Sequence, residues 1–153
     1  MHLNFFNKSI FSGLGLNNTG KPEVKTKDVD FCIGKETTAE FESLQSKFII
    51  PLVAVECKTY VDKTMFGEAQ FTAQLIKNGT PDARVYILAE RNEIGKGKIP
   101  TLTPLDQYFT LKKNEKSPIV PEVVIDFFSE VQKVLSNATT HRVRDPPGRM
   151  IPK

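Results

Sequence analysis

The sequence predicts an α/β domain on a mixed β-sheet, in which an antiparallel hairpin feeds a βαβ crossover and helices flank the sheet. Three observations carry this prediction. The run from Ile49 to Val55 is almost wholly apolar, the pattern of a strand covered on both faces. The stretch 65–78 comes next, with Met65, Phe66, Ala69, Ala73 and Ile76 at helical spacing. Arg84–Ala89 then repeats the buried-strand pattern. A strand–helix–strand unit of this size implies a right-handed crossover between parallel neighbours.

Composition bounds the reading. With 153 residues, 39% hydrophobic and 25% charged, the chain has the make-up of a folded protein with room for one core. The net charge of +3 resides entirely in residues 138–153, where Arg142, Arg144, Arg149 and Lys153 face only Asp145. The other residues balance at 17 basic and 17 acidic, so a nucleic-acid partner is compatible with the charge but not demanded by it. Asn4, Asn7, Lys8 and Gly13 interrupt the N-terminal apolar residues, and no stretch has membrane-spanning length. A cytoplasmic protein without a membrane partner is expected. Cys32 and Cys57 lie in strand contexts without CxxC spacing, which favours two small buried hydrophobes over a disulfide or zinc site.

In chain order, residues 1–20 mix Phe5, Phe6, Ile10, Phe11, Leu14 and Leu16 with turn formers, and these apolar side chains are expected to pack on the core of the later elements. Asn17–Pro22 is a turn. Residues 23–36 read as two short strand segments in which Val29, Phe31 and Ile33 alternate with Asp28, Asp30 and Cys32. Residues 37–47 are ambiguous, short enough for a loop but with Phe41, Leu44 and Phe48 at helical spacing. Residues 48–59 are the central strand. Asp62 or Thr64 caps the helix over 65–78, which Asn78-Gly79 and Pro81 end. Residues 91–104 read as a surface loop and 105–113 as a short helix around Tyr108 and Phe109. Pro121 opens a helix over 121–136 with Val124, Phe127, Phe128, Val131, Val134 and Leu135 on one stripe. One domain over 1–137 and a flexible basic tail over 138–153 are therefore expected.

The candidate chemistry sits where the central strand ends, at Glu56-Cys57-Lys58. Strand geometry places Glu56 and Lys58 on one face and Cys57 on the other. A carboxylate beside an ammonium at the mouth of a buried strand is costly unless it serves a bound group. With Asp30 on the preceding strand, two carboxylates can hold Mg²⁺ while Lys58 orients a water or stabilises transition-state charge. The backbone carbonyl of Cys57 is a further candidate ligand. Asp28 shares the expected face of Asp30 and remains an alternative first ligand. Lys63, at a helix N-terminus, is a candidate phosphate contact. A structural strand-end salt bridge between Glu56 and Lys58, with a solvated Asp30, remains the alternative to chemistry. Glu68 is better read as an exposed helix residue than an extra carboxylate and Tyr60 as packed; the tail arginines suit either phosphate contacts or a solubilising end, Gln74 lies too far along the helix to assign, and His2 and His141 earn no catalytic role.

The arrangement Asp30…Glu56-x-Lys58 resembles the signature of the PD-(D/E)XK nuclease superfamily. Residues 21–36 (KPEVKTKDVDFCIGKE) and 53–69 (VAVECKTYVDKTMFGEA) are similar to the catalytic portion of Bpu-type type II restriction endonucleases, the likeness covering roughly residues 20–95. No proline precedes Asp30. The resemblance implies a restriction-endonuclease-like fold, Asp30 and Glu56 as metal ligands, Lys58 as the catalytic lysine and Mg²⁺-dependent hydrolysis of double-stranded DNA to a 5′-phosphate and a 3′-hydroxyl. It also implies a second nuclease subunit, identical or not. The family's enzymes are longer at the N-terminus, so the domain is expected to lack such a portion. A repair or junction-resolving nuclease of the same fold, or a non-catalytic remnant binding DNA or a partner, are the alternative functions.

Overall fold

A computed structural model describes residues 2–41, 44–95 and 104–142. In chain order the elements are β1 (His2–Leu16), β2 (Pro22–Phe41), β3 (Leu44–Val61), α1 (Lys63–Gly79), β4 (Arg84–Asn92), β5 (Gln107–Thr110) and α2 (Pro121–Arg142). The five strands form one sheet in the order β1-β2-β3-β4-β5. β2 pairs antiparallel with both β1 and β3, whereas β3, β4 and β5 are parallel. The expected mixed sheet, hairpin and crossover are all present.

The sheet separates two apolar clusters, which explains the unbroken apolar run in β3. Ala54 of β3 and Val85, Ile87 and Ala89 of β4 pack with Phe66, Ala69, Ala73 and Ile76 of α1. Val53 and Val55 of β3 and Tyr86 of β4 turn the other way, to Phe109 of β5 and to Phe127 and Val131 of α2. Each fully buried aliphatic side chain of this kind contributes about 1.5–3 kcal/mol. Tyr86, Phe109 and Phe127 meet edge to face, with centroids 5.4–6.4 Å apart. α1 begins where expected: the Asp62 carboxylate accepts from the Met65 N–H at 2.8 Å.

Several expectations need correction. Residues 2–16 are not a turn-rich segment but a full strand paired with β2 from His2↔Gly34 to Leu16↔Pro22. The two short segments in 23–36 are one continuous strand that runs through the ambiguous stretch, Thr37 to Glu40 pairing with Phe48 to Gln45. Cross-strand pairing decides this stretch, and its β-branched Thr37 and Thr38 suit a strand. The segment around Tyr108 and Phe109 is β5, not a helix. These residues side with different clusters, Tyr108 against that of α1 and Phe109 within that of α2, as strand alternation requires. Most of the loop expected over 91–104 falls outside the described residues, but Arg91 and Asn92 still belong to β4. α2 continues to Arg142, and the basic residues beyond it lie outside the described residues.

The N-terminal end of β4 is tied down by one carboxylate. Asp106 accepts from Lys77 at 2.8 Å, from Arg84 at 2.7 Å and from the Val85 N–H at 2.8 Å, joining α1, β4 and the approach to β5. Burial pushes its carboxyl pKa upward, but the bonds from Lys77, Val85 and Arg84 outweigh burial and hold it below the ordinary 3.8.

Candidate active site

The site forms at the opposite, C-terminal end of β3. Glu56 pairs with Ile87 and Lys58 with Ala89 of β4, positions whose β4 side chains pack towards α1. The two charged groups therefore emerge on the α1 face, with Lys58 Nζ 3.1 Å from Glu56 Oε2. Glu56 keeps only 13% of its side chain exposed, so its carboxylate sits in a partly desolvated position beside a cation. A cleft of about 590 Å³ opens over this pair. Its walls are β2, through Lys27 and Asp28, and α1, through Gly67, Glu68, Phe71 and Thr72.

Asp30 and Asp28 occupy different settings. Asp30 Oδ2 accepts from the backbone N–H of Cys57 at 2.7 Å, which fixes β2 against the peptide between Glu56 and Lys58. Asp28 lines the cleft and accepts from Ser9 Oγ at 3.2 Å. Strict alternation along β2 fails here. Val29 joins the cluster beneath α1, whereas Phe31 packs against the other cluster. A register shift in the β1–β2 pairing lies at the same place, where β1 advances from Phe5 to Lys8 while β2 moves from Phe31 to Val29. The expectation that Asp28 and Asp30 form one row opposite the apolar residues is thereby corrected.

Cys57 projects to the α2 face, as alternation requires, and lines a second depression with Leu88, Glu90 and Lys112. It is exposed rather than buried, which corrects the reading of both cysteines as core residues; Cys32 is buried as expected. Partial burial raises the Cys57 thiol pKa, and the Asp30 and Glu56 carboxylates raise it further, against a lowering by Lys58.

The weaker candidates sort simply. Lys63 is exposed at the start of α1 and does not line the cleft. Glu68 is exposed and does line it. Gln74 donates to Asn78 along α1, and Tyr60 lies beneath the Arg91 guanidinium, 5.9 Å from ring centroid to carbon, so both have structural partners. Arg144, Arg149 and Lys153 fall outside the described residues, as do the side chains of His2, His141 and Arg142. Lys27 escapes a reading of the sequence, because one lysine in the alternating charges of Lys25, Lys27 and Asp28 looks like a solvated strand face.

The donor chemistry fits a hard divalent cation. Asp28, Asp30, Glu56 and Glu68 offer only oxygen, and magnesium is held through one or two carboxylates while keeping several waters. Among the described residues no three acidic, histidine or cysteine side chains converge into a closed metal cage.

Known proteins resemble this chain in sequence and in fold. The profile of the Bpu10I restriction endonuclease matches residues 1–116, more than half of the chain and every residue of the cleft. The chain belongs to the Bpu10I restriction endonuclease family. No curated protein matches it. A solved structure described as the native BbvCI A2B2 tetramer at low resolution is similar in fold, with a TM-score of 0.68 and 18% sequence identity. That likeness covers 97% of this chain and 61% of the other, so the chain spans about three fifths of its solved relative. The fold of this Bpu10I-family chain is thus that of a restriction endonuclease. Among the described residues, no helix is long and apolar enough to cross a membrane.

Proposed function

We propose that this chain is the catalytic part of a type II restriction endonuclease that hydrolyses double-stranded DNA with Mg²⁺. The observation that carries the proposal is the Glu56–Lys58 pair, 3.1 Å apart on the α1 face at the end of β3, opening into a cleft in a chain of a restriction endonuclease family. Glu56 and Asp30 would hold the metal, with the Cys57 carbonyl between them. Asp30 is suited to this because Oδ2 is committed to the Cys57 N–H while Oδ1 has no protein partner among the described residues. Bound Mg²⁺ would supply charge neutralisation at the phosphate and a water of lowered pKa.

The chain's own groups do the rest. Lys58, kept at the cleft by Glu56, would orient the attacking water or offset charge growing on the phosphate. The water's oxygen bonds to phosphorus as the bond to the 3′-oxygen breaks, giving a 5′-phosphate and a 3′-hydroxyl. With one such catalytic centre per chain, as proposed, a double-strand break calls for a second nuclease subunit, identical or not. The A2B2 assembly of the BbvCI structure supports that expectation. Calorimetric titration of Mg²⁺ or Mn²⁺ and then incubation with supercoiled plasmid tests the proposal. Metal binding with nicked or linear product is expected. A chain that binds neither ion and leaves the plasmid supercoiled is a non-catalytic remnant, and the proposal fails.

A further inference from the structure

The cleft contains a cation that the proposed hydrolysis leaves unused. Lys27 of β2 lines the same wall as Asp28, across the opening from Glu68 and Phe71 of α1. Its side chain is half-buried, and no carboxylate within salt-bridge distance or hydrogen-bond acceptor engages its ammonium among the described residues. Lys58, the other cation in the cleft, is committed to Glu56 at 3.1 Å. A lysine loses substantial side-chain entropy when fixed, so a half-buried one facing open space without a counter-ion is poised for an anion that arrives from outside. In a cleft that takes a polynucleotide, that anion is a backbone phosphate.

The geometry points to Lys27 as a phosphate-contacting residue, which grips the DNA backbone beside the scissile position while Lys58 serves the reacting phosphate. This assignment rests on the proposed nuclease function. It makes Lys27 a determinant of affinity rather than of sequence, because a phosphate contact carries no base information. One such contact releases about one counter-ion, which sets the size of the effect.

The test measures duplex binding by the purified full chain across a salt series with Ca²⁺ in place of Mg²⁺, for the wild type, Lys27→Ala and Lys27→Arg. Lys27→Ala is expected to reduce the steepness of log K against log[salt] by about 0.9 and to weaken binding about 15-fold at 50 mM salt but only about 4-fold at 200 mM. The loss should be equal for different duplex sequences, and Lys27→Arg should restore the wild-type slope. A lysine that merely supports the strand would alter stability but leave the slope untouched. An unchanged slope in a DNA-binding Lys27→Ala chain overturns the assignment while the nuclease reading stands. Absence of any duplex binding by the wild type overturns both.

Discussion

The proposed function gives Asp30 two jobs, and substitution separates them. Its carboxylate bonds the Cys57 N–H at 2.7 Å, a structural task, and in the proposed function it would also be a metal ligand, a chemical one. Asp30→Asn keeps an acceptor for the N–H but removes the charge. A charge-assisted hydrogen bond is roughly twice as strong as a neutral one, so this substitution should cost about 0.5–1.5 kcal/mol of stability. Asp30→Ala removes the acceptor altogether and should cost about 1.5–3 kcal/mol, towards the lower end because solvent reaches the freed N–H. For a chain of this size each kcal/mol corresponds to a fall in melting temperature of roughly 2–4 °C.

The metal effect has a different ranking. Two unit charges about 4 Å apart interact by about 4 kcal/mol at an effective dielectric constant near 20, about twice that when one is a divalent ion, and each 1.4 kcal/mol is tenfold in affinity. With half or more of that Coulomb term lost after water replaces the carboxylate, both substitutions should weaken Mg²⁺ binding by about a thousandfold or more, although they differ in stability. Thermal melts without metal and calorimetric titration with it read the two quantities independently. Wild-type Mg²⁺ affinity in Asp30→Asn would remove Asp30 from the ligand set. Equal destabilisation by both substitutions would show that the bond to Cys57 contributes nothing.

Three other outcomes are expected. The Asp106 carboxyl has a folded pKa below 3.8, so its bonds to Lys77, Arg84 and Val85 stabilise the fold above that value and are lost as pH falls through the lower folded one. Accordingly, urea unfolding of Asp106→Asn should show a stability below that of the wild type at pH 7, by about 1–3 kcal/mol, and the gap should shrink only under acid. Phe109→Ala should cost about 3–5 kcal/mol in denaturant unfolding, because Phe109 fills the cluster between Tyr86 and Phe127; a near-neutral result would contradict the placement of β5. At Gly79 a Cβ would lie 2.6 Å from the backbone of Ser12 and Gly13, so Gly79→Ala should force β1 away from α1 and lower stability by about 1–3 kcal/mol in the same assay.

The elements legible in the sequence were those whose own side chains declare both period and burial. β3 and β4 are apolar on both faces because α1 and α2 cover the sheet from either side, and no other local structure explains such short apolar runs. α1 announces itself through Ala69, Ala73 and Ile76 and through Asp62 as its cap. Hidden from the sequence was whatever depends on a distant partner. β1 is rich in glycine and asparagine and becomes a strand by pairing along β2. Thr37–Glu40 becomes strand because Gln45–Phe48 lies opposite, and β5 because β4 offers Tyr86 to Ala89 as a parallel edge.

The candidate site divides along the same line. Glu56 and Lys58 share a face because they are two residues apart in one strand, a local fact. How Asp28 and Asp30 are disposed follows from a break in the alternation of β2, Val29 and Phe31 siding with different clusters beside a register shift in the pairing with β1, which no pattern within β2 records. Lys27 carries a weaker signal that was available: it lies one residue before Asp28, in the strand that partners the one bearing Glu56.

The proposed Mg²⁺-dependent phosphodiester hydrolysis stands or falls with Lys58, held by Glu56 in the cleft. Cleavage of supercoiled plasmid by purified wild type and Lys58→Ala, at matched Mg²⁺ and with both chains verified as folded by circular dichroism, measures it most directly. Nicked or linear product is expected with the wild type and none above background with Lys58→Ala. Equal cleavage by the two chains would contradict it.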